Sequence, residues 1–136
     1  MIINGLHRVE IATYAVEDNN EWPKVDLVFT GPPYYNTENY GVVSQAYLNR
    51  CSSYQHWLRE FWGVFIEKAN KSTQKVVLNL GTFRLSKTNQ IDYPKDVTEL
   101  FINNGWFLEK EYDWKIASFG KNTNRKEKIL VFNKHL

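Results

Sequence analysis

A chain of 136 residues, 43% apolar and 15% aromatic, is long and apolar enough to bury one core, and we read residues 1–136 as a single domain. Lys and Arg total 17 against 15 Asp and Glu, which excludes gripping nucleic acid by bulk charge; any basic footprint has to be local. A lone cysteine, Cys51, excludes an internal disulfide, and no apolar run approaches the roughly 18 residues of a membrane span. With no cationic-then-apolar start in MIINGLHRVE, the expectation is a soluble cytoplasmic domain with no membrane partner.

The segment from Ile2 to Val16 is short and mixed, and is read as a strand followed by a weak helix or turn. Asp18 to Glu21 reads as a polar loop. Val25 to Thr30, VDLVFT, is a short apolar run rich in β-branched residues, stopped by Gly31-Pro32-Pro33. A run bounded by such breakers predicts a buried central strand. Tyr34 to Arg50 is aromatic, Asn-rich and without period, which predicts a long loop.

Ser52 with Gln55 three residues on predicts a capping box. Behind it Trp57, Leu58, Phe61, Trp62, Phe65, Ile66 and Ala69 recur at helical spacing, predicting an amphipathic helix to about Asn70 whose aromatic residues belong to the core. His56 falls on its second turn, at an exposed position. Lys75 to Leu80 is the next buried strand, ending at Gly81. Pro94 suits a first helical turn, Val97, Leu100 and Phe101 share a face, and Gly105 closes that helix. Strands over Trp106–Lys115 and Lys128–Asn133 follow, with a polar loop, basic at its end, from Ala117 to Glu127. The order strand, helix, strand, helix, strand, strand predicts an α/β sheet, mostly parallel, whose last two strands form an antiparallel hairpin at one edge.

The informative segment is Val25 to Gly41, VDLVFTGPPYYNTENYG. Its Pro-Pro turn stands at the carboxyl end of a central strand, where open α/β sheets place ligands. Consecutive prolines donate no main-chain hydrogen bond, so the carbonyls of Gly31 and Pro32 can stay free acceptors. Tyr34 adds a flat face for stacking. A bare carbonyl beside a ring suits an extruded base whose amine must be held.

This segment resembles the catalytic motif of the S-adenosylmethionine-dependent DNA amino-methyltransferases, in which Asp, Asn or Ser precedes Pro-Pro and an aromatic. The flanks agree: Val-Asp-Leu-Val before it, Tyr-Asn and then Tyr40-Gly41 after it. Tyr54 to Ala69 resembles the family's helix after the catalytic loop and Val76 to Gly81 its next strand. Trp114-Lys115 with Lys128 to Phe132 and Lys134 resembles the closing hairpin that helps wall the base pocket. The resemblance covers most of residues 22–134 and implies a truncated Rossmann-like methyltransferase sheet, transferring a methyl group to an exocyclic amine of adenine or cytosine in DNA.

What the resemblance implies for single residues is uneven. Tyr34 matches the aromatic that stacks on the extruded base, and Pro32 the proline whose carbonyl accepts from the target amine. Gly31 and Pro33 complete the catalytic turn, and Thr30, Gly31 and Pro32 would border the cofactor S-adenosylmethionine. Gly31 departs from the family, which carries a side-chain acceptor there. Loss of one oriented hydrogen bond at a transition state costs roughly 2.7–4 kcal/mol in the analogous oxyanion case. A second departure is that none of the seven glycines forms the family's Phe-x-Gly-x-Gly cofactor loop. Either a partner chain supplies the rest, or fewer contacts hold the cofactor, or catalysis is lost; an incomplete cleft points to a homo-oligomer or a partner subunit.

Tyr35, Asn36 and Tyr40 are candidates to line the nucleic-acid channel, set against a loop packed on its own rings. Lys121, Arg125 and Lys126, with Lys128 beside them, are candidate phosphate contacts, though a solvated hairpin loop explains the same charges. His7, His56, His135 and Cys51 show no zinc spacing. The motif alone does not separate DNA from RNA. Two functions stay open: an amino-methyltransferase, and an inactive methyltransferase-like module that binds nucleic acid or a partner subunit.

Overall fold

The computed structural model describes residues 20–32, 53–115 and 126–135. The expected first strand and the weak helix or turn within Ile2–Val16, and the expected loop Tyr34–Arg50, lie outside these residues. Among the described residues six strands and two helices occur, in the order β1 (Val28–Thr30), α1 (Tyr54–Ser72), β2 (Lys75–Gly81), β3 (Phe83–Arg84), β4 (Gln90–Ile91), α2 (Tyr93–Asn103), β5 (Trp106–Lys115) and β6 (Lys126–Lys134). The main sheet has the strand order β1-β2-β6-β5, and β3 and β4 form a separate small hairpin.

β1 and β2 are parallel, with Val28, Phe29 and Thr30 level with Val76, Val77 and Leu78. β6 lies antiparallel to both β2 and β5. β5 therefore points the same way as β1 and β2, but because the final strand is inserted between β2 and β5, two of the three described pairings are antiparallel, against the expected mostly parallel sheet. The expected antiparallel hairpin is present, with β5 at the edge and β6 inside the sheet.

The sheet's first side is packed by the helices. Val76, Leu78 and Leu80 of β2, Leu130 and Phe132 of β6 and Trp106 of β5 form one core with Trp57, Phe61, Trp62, Phe65 and Ile66 of α1 and Val97 and Phe101 of α2. Phe101 stacks on Phe132 with ring centroids 4.3 Å apart. Two indoles of this core find acceptors, Trp62 Nε1 donating to the Tyr93 hydroxyl (3.0 Å) and Trp106 Nε1 to Asn70 Oδ1 (2.8 Å), whereas the buried Nε1 of Trp22, packed against the core, finds none among the described residues. An indole N–H shut away from water costs free energy unless bonded, so these two bonds make the aromatic core affordable.

Four local expectations shift. The helix cap is Ser53, not Ser52: its hydroxyl accepts from the His56 amide, and α1 runs on to Ser72. His56 is accordingly in the first turn, paired with Glu60 at 3.6 Å. β1 is shorter than Val25–Thr30, because the Val25 amide donates to the Ser72 carbonyl at the end of α1 instead of joining a ladder (2.9 Å). β6 starts at Lys126 rather than Lys128, since its pairing continues to Glu127 opposite Gly81 and Lys126 opposite Lys115. α2 follows expectation, with Asp92 as its cap, Pro94 in the first turn and Gly105 beyond its end at φ +89°. That left-handed backbone is one glycine adopts without a steric penalty.

Candidate active site

β1 forms because Val28 and Thr30 turn toward the core side while their main chain pairs with β2. It ends because Pro32 and Pro33 cannot donate to a ladder. Gly31 and Pro32 therefore leave the sheet at the carboxyl end of a parallel pair, the crevice position in open α/β sheets. Thr30, the last strand residue, is half-buried, Gly31 is exposed and Pro32 is buried. None of the loop, cap or side-chain hydrogen bonds among the described residues ends on the carbonyl of Gly31 or Pro32.

Gly31 is not held in the left-handed region, where glycine would be needed. Among the described residues, a side-chain carbon added to it would meet only the main-chain oxygen of Asn79, at 3.9 Å, an ordinary contact. Neither backbone nor packing demands glycine here. The position has room for the side chain it lacks.

Asn79 lies on β2 one register step beyond the Thr30–Leu78 pair, and opposite Ile129 of β6. It interrupts an otherwise apolar strand, Val-Val-Leu-Asn-Leu. Its Oδ1 is buried, and no donor reaches it among the described residues. Asparagine is depleted in strands, and a buried acceptor left unsatisfied costs about 1–3 kcal/mol. The sequence reading passed over this residue; a lone amide in a buried apolar strand was the available signal.

The β3–β4 hairpin, also absent from the sequence reading, follows directly on the carboxyl end of β2. Phe83 is buried at its base, edge-on to both Tyr54 and Tyr93. Residues 84–90 are exposed. The tip is fastened by Leu85 N–H to the Asn89 carbonyl (2.9 Å) and by Arg84 Nη1 to the Lys87 carbonyl (3.0 Å). Ten residues from Thr82 to Ile91 carry two cations and no acid, a pattern visible in the sequence but too short to show period.

Tyr54, the first residue of α1, donates its hydroxyl to Asp96 Oδ2 on α2 (2.9 Å). Burial first, and then the Asp96 carboxylate, push the Tyr54 phenol far above its ordinary range, so it stays protonated and is a hydrogen-bond donor rather than a base. Its role in the structure is to clasp the two helix starts.

The remaining predicted site residues divide simply. Pro33, Tyr34, Tyr35, Asn36, Tyr40, Lys121 and Arg125 lie outside the described residues. Lys126 is placed on β6 by its main chain and not in a loop. Lys128, expected beside that basic loop, is also on β6, where its ammonium is bonded by Glu111 and lies 3.6 Å from Asp113. Those carboxylates, Glu111 foremost, raise its basicity and neutralise it locally, which weakens the case for Lys128 as a phosphate contact.

No family model matches the sequence. No curated protein matches it either. Among solved structures the chain is similar to the crystal structure of a protein described as a candidate RNA methyltransferase of Pyrococcus horikoshii, with a TM-score of 0.49 and 15% sequence identity. The alignment covers 89% of this chain and 47% of that one, so this chain spans about half the length of the similar protein. What belongs to this chain by itself is a mixed α/β fold. Among its described residues, no helix is long and apolar enough to cross a membrane.

Proposed function

We propose that this chain is the base-pocket half of an S-adenosylmethionine-dependent methyltransferase acting on an exocyclic amine of adenine or cytosine in DNA. The observation that carries the reading is the pair Gly31-Pro32, leaving the carboxyl end of β1 with main-chain carbonyls that no described loop, cap or side-chain donor engages. Those two oxygens accept from the amine of an extruded base, and Tyr34 stacks on its ring. Holding the amine in line fixes the direction of its lone pair, and positioning of this kind can lower a barrier by several kcal/mol. No covalent enzyme intermediate is needed.

Thr30, Gly31 and Pro32 would hold the methyl end of the donor; Thr30 is half-buried, Gly31 exposed and Pro32 buried. When bound, that donor supplies an electrophilic methyl group. The Phe-x-Gly-x-Gly loop missing from the sequence leaves the rest of the donor to a second copy of this chain or to a partner subunit.

A second reading, an inactive module that grips nucleic acid or a partner, is favoured by one feature: the glycine where an acceptor side chain is expected. Calorimetry with S-adenosylmethionine, alone and with DNA, separates the two. Heat of binding supports the enzyme; none in either titration, with DNA still shifted in a gel, supports the module. The site itself is tested by Tyr34→Ala in a tritium-transfer assay on mixed-sequence DNA and RNA. We expect loss of both base capture and turnover, and undiminished transfer would remove Tyr34 from the site.

A further inference from the structure

The amine that attacks a methyl group becomes positively charged as the new N–C bond forms and the C–S bond breaks, its electron pair passing to sulfur. One proton then leaves the nitrogen for water. An acceptor beside that nitrogen therefore interacts more strongly in the transition state than in the ground state, which is the condition for catalysis. Gly31 offers no side chain for this.

Asn79 offers one. It stands on the strand next to Gly31, its own main-chain oxygen the nearest atom to the empty Cβ position, at 3.9 Å. Its amide oxygen Oδ1 is shut from solvent and lacks a donor among the described residues. Out of water, such an oxygen gains more from a donor than it would at the surface. An unsatisfied acceptor kept near the carboxyl end of β2, beside the residue at which β1 leaves the sheet, is explained if a ligand N–H completes it.

We propose that Asn79 supplies the acceptor that the Gly31 side chain lacks, its Oδ1 taking one of the amine's two hydrogens in place of the Gly31 carbonyl while the Pro32 carbonyl takes the other. The inference rests on the methyltransferase reading and adds a residue from a second strand to that site. It also makes Asn79 a position where function opposes stability, since removing an orphaned buried oxygen relieves a cost.

The test compares wild type, Asn79→Ala, Asn79→Val and Asn79→Ala/Gly31→Asn in the full chain, for methyl transfer from tritiated S-adenosylmethionine and for thermal melting. We expect Asn79→Val to melt at or above the wild-type temperature while kcat falls on the order of 100-fold with KM little changed, judged by loss of an oriented donor at an oxyanion. Asn79→Ala loses turnover similarly, and Gly31→Asn in that background restores at least tenfold of it. Full activity in both single variants overturns the assignment of Asn79 alone. A lower melting temperature in Asn79→Val with unchanged activity does the same and makes the residue structural. An inactive wild type, on DNA and RNA alike, overturns the methyltransferase reading and this inference together.

Discussion

Gly31 and Asn79 are neighbours across the β1–β2 pair, and a Cβ added to the glycine would lie 3.9 Å from the Asn79 carbonyl, an ordinary contact. The glycine is thus a choice the fold does not impose. Gly31→Ser should fold as the wild type does, within about 0.5 kcal/mol in a denaturant titration, as for an unstrained surface substitution. Its methyl transfer should equal or exceed the wild-type rate. A clear loss of stability would mean that the turn needs glycine after all.

The Phe101–Phe132 stack joins α2 to the central strand β6, and both rings are fully buried. Phe101→Ala should cost about 3–5 kcal/mol, through lost burial and the cavity left behind. Urea unfolding measures this directly. A cost below about 1 kcal/mol would show that the helix packs on the sheet without that ring.

Ser53 caps α1, accepting from the His56 amide at 3.1 Å. Ser53→Ala should destabilise the chain by about 1 kcal/mol, and Ser53→Asp should restore most of it. If both variants melt together with the wild type, the helix start is held by other contacts.

Asp96 gives a pH dependence of defined sign. Burial first, then Glu99 and Asp92, raise its carboxyl above the ordinary 3.8, against the Tyr54 hydrogen bond and Lys95, which lower it. The folded state therefore binds this proton more tightly than the unfolded chain does. The stabilisation is complete below the ordinary value and is lost as pH rises through the raised one. The stability of wild type relative to Asp96→Asn should fall as pH increases from about 4 and level off once the raised carboxyl has fully ionised. A difference that grows with pH instead would mean that the Tyr54 bond outweighs burial.

The end of β1 at Thr30 was legible in the sequence because proline acts locally: it ends a strand whatever surrounds it. The helices and the closing hairpin were legible because Trp57, Phe61, Phe65 and their partners repeat at the period of the structure they form. The start of β1 was not, because Val25 has strand chemistry but its amide is captured by Ser72, far along the chain. Ser52 and Ser53 differ by one position, and only the helix geometry decides which caps. The β3–β4 hairpin has two-residue strands and so no period to read. Asn79 stood out locally as a lone amide in an apolar strand, but that its oxygen is orphaned depends on the register between strands distant in sequence.

Most directly, the account stands or falls on where a methyl group goes. Nucleic acid incubated with the chain and deuteromethyl-labelled S-adenosylmethionine, then digested to nucleosides and weighed by mass spectrometry, should carry the label on the exocyclic nitrogen of adenine or cytosine. No labelled nucleoside, or a label on a ring carbon, would contradict it.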